Sequence, residues 1–346
     1  MNSFGRIFRV SIFGESHGES AGINIDGCPA GLSLSVDDFL EDIERRKGGT
    51  QKGTTPRKED DLPIFKSGIF NGKTTGAPIT ILFENKNTRS GDYEKQRAVP
   101  RPGHADFVAH AKFGGYEDFR GGGHFSGRLT VCLVAAGVIA KKLLSTLYIG
   151  EGLGEVKPIH EGITVRSTIL EIGGEADLEK GLQKAIDNKD TIGGIVECRA
   201  NGLPIGLGEP FFDSVESVLS HAVFAIPAIR GVEFGTGFAA AKMFGADHND
   251  AIEDKSGKTK TNHAGGVVGG ISNGNELVFR IAVKPTSSTP KEQQTYNWET
   301  NEVESFSVKG RHDLCIALRV PVVLEAVTAM VLVDLLMLEH HIKRIL

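Results

Sequence analysis

The chain has 346 residues, a formal net charge of −5 at neutral pH, 24% charged residues and 40% hydrophobic residues. That balance is ordinary for a globular protein, gives room for one large domain or two packed halves, and argues against nucleic acid as the default partner. Glycine is the exception: 44 residues against a usual share of ~7%, clustered beside His, Arg and Ser, where tight turns bring backbone close to a ligand.

The opening MNSFGRIFRVSIFG lacks an apolar run with a small-residue cleavage site, so no secretory signal is expected. Cys28, Cys132, Cys198 and Cys315 are scattered without C-x-x-C spacing, which signals neither a metal site nor a disulfide framework. A cytoplasmic protein is expected. Residues 6–13 read as a strand and AGINIDG, 21–27, as a second. LSVDDFLEDIERRK, 34–47, reads as a helix running into a basic stretch at 45–58, which is expected to be a mobile arm that closes over an anion. APITILFEN, 77–85, is a strand, residues 85–127 are polar glycine-rich loops, and 128–147 have the pattern of a buried helix.

An internal echo follows. GINIDGCPAGL (22–32) and GIVECRANGLPIGL (194–207) both close on G-x-P-x-G-L, which points to two related halves, meeting near 150–190, inside a single domain spanning 1–346. Residues 209–226 read as a helix, 231–241 as a strand, 247–262 as a polar mobile loop and 265–285 as a hairpin. A long helix starts near Pro321; its apolar run, 320–338, contains Glu325 and Asp334 and reads as a buried helix rather than a membrane span.

Gly14-Glu15-Ser16-His17-Gly18 fits the G-x-S-x-G spelling of a nucleophile elbow. An elbow needs a helix directly after the serine, and a strand follows here, so a serine hydrolase using Ser16 is the weaker reading. GIFNGKT, 68–74, is one residue short of a phosphate-binding loop, and no G-x-G-x-x-G is present. His340 and His341 are expected at the surface. What remains are six polar clusters in Gly/Pro turns: Ser16-His17, RPGHAD (101–106), FRGGGHFSGR (119–128), NHAGG (262–266), KPTSS (284–288) and GRHD (310–313). Together they describe a pocket of donors and cations for a small molecule with several negative charges, each charge-assisted bond contributing roughly 1.5–3 kcal/mol. A non-catalytic polyanion-binding module would explain 45–58 but leaves the histidine clusters idle.

In this order and spacing the clusters resemble the chorismate synthase family, over nearly the whole chain. The resemblance implies an α/β fold with helices sandwiched between two antiparallel sheets, internal pseudo-twofold symmetry and a homotetramer, for which the apolar C-terminal helix is the expected contact. It implies a lyase that converts 5-enolpyruvylshikimate 3-phosphate to chorismate and phosphate by 1,4-anti elimination with reduced FMN, in the shikimate pathway towards aromatic amino acids. By the same resemblance, His17 supplies a proton to the reduced flavin, His104 acts as acid to the departing phosphate, and Asp313 relieves the flavin of a proton. Arg46, Lys52, Arg101 and Arg311 would hold substrate anions, with Ser16 as a positioning residue. The flavin would be held by His124, Phe125, Ser126, Pro227, Ala228, Gly269, Lys284, Pro285, Thr286, Ser287, Ser288 and Arg311. Some family members reduce their own flavin with NADPH; the compact length of this chain leads us to expect a separate flavin reductase. Neither nucleic acid nor membrane is an expected partner. The chain departs from common family residues at Leu129, Pro227, Lys52 and Leu314, none of which is a proposed proton-transfer group.

Overall fold

A computed structural model describes residues 1–49, 52–55, 59–87, 97–146, 148–150, 156–158, 162–308, 312–340 and 342. The principal elements, in chain order, are β1 (Ser3–Phe4), β2 (Arg9–Gly14), β3 (Ser20–Asp26), α1 (Asp37–Arg46), β4 (Ile64–Ser67), β5 (Ile79–Glu84), α2 (Asp106–Phe113) and α3 (Thr130–Ser145). They continue with β6 (Thr164–Ile172), α4 (Leu178–Asp187), β7 (Gly194–Asn201), α5 (Val215–Val223), β8 (Ile229–Phe234), β9 (Leu277–Val283), a hairpin of β10 (Gln293–Asn297) and β11 (Glu302–Phe306), and α6 (Val320–Leu338).

Two antiparallel sheets form, in the orders β1-β2-β3-β5-β4 and β6-β7-β9-β8. Leaving out β1, the strand order repeats, and so does the chain order of strand, strand, helix, strand, strand and long helix, with α2 inserted in the first half and α4 and the β10–β11 hairpin in the second. The G-x-P-x-G-L echo is a real structural repeat. Gly27 and Gly202 share φ values of 79° and 80°, and Gly31 and Gly206 share 98° and 107°. In the first half the Thr74 hydroxyl accepts from Leu32 N–H (3.0 Å) and donates to the Pro29 carbonyl (2.6 Å). Ser272 does the same for Leu207 N–H (2.9 Å) and Pro204 (2.7 Å).

Alternation in the strands sets the inner faces. Ala21, Ile23 and Ile25 pair with Phe83, Ile81 and Ile79, and all six are buried. Val196, Cys198 and Ala200 do the same opposite Ile281, Phe279 and Leu277. The central helix α3 packs on β2, β3 and β5, α6 packs on β6 and β7, and the two helices pack along each other. Both are apolar almost all round, as helices enclosed on every side must be. A Cβ on Gly137 of α3 would collide with both Cα and Cβ of Ala326 of α6, so the helices touch at backbone distance there.

The acids of α6 are paired rather than exposed. Glu325 accepts from Arg45 (2.7 and 2.8 Å), Lys141 (2.8 Å) and the Ser167 N–H (2.9 Å). Burial pushes its carboxyl up, but Arg45 and Lys141 outweigh that and hold it below the usual range. Asp334 accepts from the N–H groups of Arg6, Ile7 and Phe8 at 2.7–2.9 Å. Among the described residues, Ile316–Leu338 is the one helical segment long and apolar enough to cross a membrane, and 94% of its most apolar window is buried inside the molecule. It therefore reads as a core helix, and it cannot be the apolar surface of an oligomer, which corrects the expectation made for it.

Other expectations also change. Residues 231–241 leave the sheet after Phe234 and form a 3-10 turn, Gly237–Lys242. Residues 247–262 are folded back, with Asp250 accepting from Thr261 Oγ1 (2.6 Å) and from the N–H groups of His263 (2.8 Å) and Ala264 (2.9 Å). The glycine-rich span 85–127 contains α2. In the basic stretch, Arg45 and Arg46 are the last turn of α1 and are tied to buried acids, so they are no part of a free arm; Thr50, Gln51, Pro56, Arg57 and Lys58 lie outside the described residues.

Gly137→Ala should lower stability by ~1–3 kcal/mol, even though alanine favours a helix by about 1 kcal/mol. Urea unfolding of the variant measures this; a variant as stable as the parent would show that the helix pair can part without cost.

Candidate active site

The N-terminal ends of α3 and α6 open on one cavity of about 730 Å³, lined by Leu129, Thr130 and Leu133 from one helix end and Arg319, Val320 and Val323 from the other. Among the described residues its wall includes six Lys/Arg (Arg46, Lys47, Arg101, Arg128, Lys284 and Arg319) against three acids (Glu59, Asp61 and Asp313). That excess, at two positive helix ends, suits a multiply anionic ligand. An apolar side, with Val10, Ile12, Ile226, Val323 and Met330, completes the wall.

Most of the residues expected from sequence meet here. His17, Arg46, Arg101, His104, His124, Phe125, Ser126, Pro227, Ala228, Lys284, Pro285, Thr286, Ser287, Ser288 and Asp313 all line the cavity. Three do not. Ser16 is wholly buried behind His17, with its Oγ unpartnered. Lys52 reaches Gln183 on α4 (3.3 Å), and Gly269 sits in the turn between Val267–Val268 and Ile271–Ser272. Arg311 lies outside the described residues. The burial of Ser16, with no base hydrogen-bonded to it and a strand after it, removes the support for a nucleophilic serine.

His104 stands just before α2, whose first residue, Asp106, reaches back to it. Asp106 Oδ1 lies 2.5 Å from His104 Nδ1, while Arg101 donates to Asp106 through Nε (2.7 Å) and Nη2 (2.8 Å). Burial pushes Asp106 up, but Arg101 and His104 outweigh it and hold its carboxyl well below the usual carboxylate range. An ionised Asp106 assigns the proton to Nδ1 and leaves Nε2 as the atom able to exchange one. His124 is fixed in a similar way, donating from Nδ1 to the Gly14 carbonyl (2.8 Å).

A second network crosses the floor. Asp61, with its side chain fully buried, bridges Arg46 Nη2 (2.6 Å) and Arg128 Nη1. Burial pulls Arg46 down to about 10, against the opposing pull of Asp61, with Arg319 and Arg128 adding to the fall. Arg319 donates to the Arg46 carbonyl (2.7 Å) and to Asp313 Oδ2 (3.0 Å), and Asp313 Oδ1 accepts from Thr55 N–H (2.8 Å). Lys284 donates to Ser287 Oγ (2.6 Å), which donates to the Gly103 carbonyl (2.7 Å), tying the KPTSS run to the RPGHAD loop. Burial, then the charge of Arg230, draws Lys284 below its ordinary value.

Sequence reading missed Asp61, Asp106, Arg128, His312 and Arg319. Asp106, Arg128 and His312 lay inside quoted clusters, where a carboxylate two residues after a histidine was a usable signal. Asp61 and Arg319 belong to no cluster, and only packing brings them in.

The chorismate synthase family model matches residues 8–337. A chorismate synthase of Chitinophaga pinensis is 69% identical over 345 residues, covering 100% of this chain and 99% of the relative. One of Dehalococcoides mccartyi is 44% identical over 360 residues, with 100% and 99% covered. The chain belongs to the chorismate synthase family. A crystal structure of chorismate synthase aligns with a TM-score of 0.72 at 25% identity, covering 97% of this chain and 93% of the other, and its agreement bears out the helix-and-antiparallel-sheet fold. Membership makes the chain a lyase of aromatic biosynthesis and a flavin-dependent enzyme in general terms.

His312, beside Asp313 in the cavity wall, is drawn down to about 4, chiefly by burial and secondly by the charge of Arg101. The folded protein keeps it neutral while the unfolded chain takes up a proton near ~6.5. Stability should therefore fall as pH drops from ~6.5 towards about 4, by up to ~1.4 kcal/mol per pH unit from this group. Urea titrations at several pH values should show that His312→Gln flattens this part of the curve; an unchanged slope would place the protons elsewhere.

Proposed function

We propose that this cavity binds 5-enolpyruvylshikimate 3-phosphate together with reduced FMN and releases chorismate and phosphate by 1,4-anti elimination. The observation that carries the proposal is the Arg101–Asp106–His104 arrangement set into a cation-rich wall. His104 Nε2 gives its proton to the departing phosphate, while Asp106 holds the ring through Nδ1. Arg101, Arg46 and Arg128 offer guanidinium groups to the substrate's anions. His17 and Asp313 are the other proton-handling groups on the wall.

The wall also fits FMN. Thr286 Oγ1 is buried without a partner beside Lys284, Ser287 and Ser288, a donor set suited to a phosphate. The apolar side offers Val10, Ile12, Ile226 and Met330 to a flat ring. When bound, a reduced flavin supplies electron density to a ring whose hydrogen is not acidic enough for a side-chain base.

Further expectations belong to the same proposal. The described surface between residues 205 and 268 exposes Ile205, Phe211, Phe212, Phe238, Phe244, Ile252 and Val268, and we assign the contacts of a homotetramer to this region. A separate flavin reductase, drawing on NADPH, is taken to supply reduced flavin. A reducing, cytoplasmic setting suits four buried, unpaired cysteines.

Phosphate release from 5-enolpyruvylshikimate 3-phosphate, measured anaerobically with chemically reduced FMN, tests the reading. The parent should release phosphate, oxidised FMN should not support it, and His104→Ala should slow it by ~10²–10⁴-fold. No release by a folded parent that binds FMN would sink it.

A further inference from the structure

The R-G-G-G part of FRGGGHFSGR has no role in the assignments above, yet it lies between the two histidines. Gly121, Gly122 and Gly123 all have positive φ, at 62°, 84° and 51°. Three successive left-handed residues are open to glycine and costly for anything else.

What each would meet with a side chain shows the purpose. A Cβ on Gly121 would lie 2.5 Å from His17 Nε2 and 3.1 Å from Ser16 Oγ. A Cβ on Gly122 would lie 3.2 Å from His104 Cε1, 3.3 Å from its Nε2 and 3.6 Å from Arg101 Nη2. The backbone of two consecutive residues therefore rests against one imidazole each. The Gly123 carbonyl closes the arrangement by accepting from Ser16 N–H (3.1 Å), and the neighbouring His124 holds Gly14 (2.8 Å), so the segment is pinned to the His17 turn.

We propose that Gly121 and Gly122 are positioning residues, a bare-backbone spacer that sets the separation and ring orientation of His17 and His104. It accounts for three features at once: the left-handed run, the contacts with both rings, and the anchoring to the turn that carries His17. The proposal rests on the lyase reading for its kinetic consequence, but the ring placement can be read without the reaction.

The test compares Gly121→Ala and Gly122→Ala with two controls. Gly174→Ala places a Cβ at φ 78° in open space, and so carries the backbone cost alone. Gly245→Ala has open space, no positive φ and no place on the cavity wall. Imidazole resonances of His17 and His104 in the ligand-free protein, titrated with pH, report the rings directly. The His17 signals should move in Gly121→Ala and the His104 signals in Gly122→Ala, with both unmoved in the controls. In the phosphate-release assay, kcat should fall about 100-fold for Gly121→Ala and about 10-fold for Gly122→Ala. KM should stay within about 3-fold, and the pH profile of kcat should shift for Gly122→Ala. Gly121→Ala tests the closer contact and Gly122→Ala, with its looser contact, is the variant best placed to fold. Ring signals and pH profile unchanged in a folded Gly122→Ala would overturn the proposal. So would losses in kcat matched by Gly174→Ala. Moved ring signals in the two variants, with a parent that releases no phosphate, would leave the spacer standing and sink the lyase reading.

Discussion

The close approach of α3 and α6 is the constraint on which the rest depends. Two helices apolar on nearly every side can be stable only where something covers each side, and here each is covered by a sheet, by the other helix and by a shorter helix, α1 on α3 and α5 on α6. Contact at Gly137 and Ala326 locks the two helices together at backbone distance, and both positive helix ends face one cavity. The two halves thus share a single cavity.

Burying charge around such a core is expensive, and the molecule meets the cost by pairing every central acid with several donors. Glu325 ties α6 to α1, α3 and β6 through Arg45, Lys141 and the Ser167 amide. Asp61 ties Arg46 at the end of α1 to Arg128 ahead of α3. Asp106 ties Arg101 to His104. The scaffold and the site are therefore one electrostatic system, in which Arg46 and Arg319 take part in both.

Local pattern made much of the fold legible. The apolar periodicity of 128–147 and 320–338 marked both central helices, the alternation of AGINIDG and APITILFEN marked adjoining strands, and the G-x-P-x-G-L echo marked the repeat, whose bridging hydroxyls, Thr74 and Ser272, lie outside the echo. Pattern misled where composition and packing diverge. The basic run at 45–58 looked like one solvated arm because charge is visible in sequence and its partners are not; Arg45 and Arg46 turn inward to Glu325 and Asp61, far along the chain or outside any motif. The apolar C-terminal helix looked like a subunit contact because apolarity alone does not say which neighbour covers it.

By itself the sequence determined the family, through motifs whose order and spacing carry the resemblance, and the residue types a multiply anionic ligand and proton transfer would need: histidines, arginines and hydroxyls set in glycine turns. Tertiary structure alone decided which of them meet. His17, His104 and Asp313 come from turns nearly three hundred residues apart, and they converge because two helix ends and a stretch of bare backbone hold them at one cavity. It also decided that Ser16 is buried and that Asp61 and Arg319 belong to the site. Burial and ion pairing act through space, between groups whose separation along the chain says nothing about their distance.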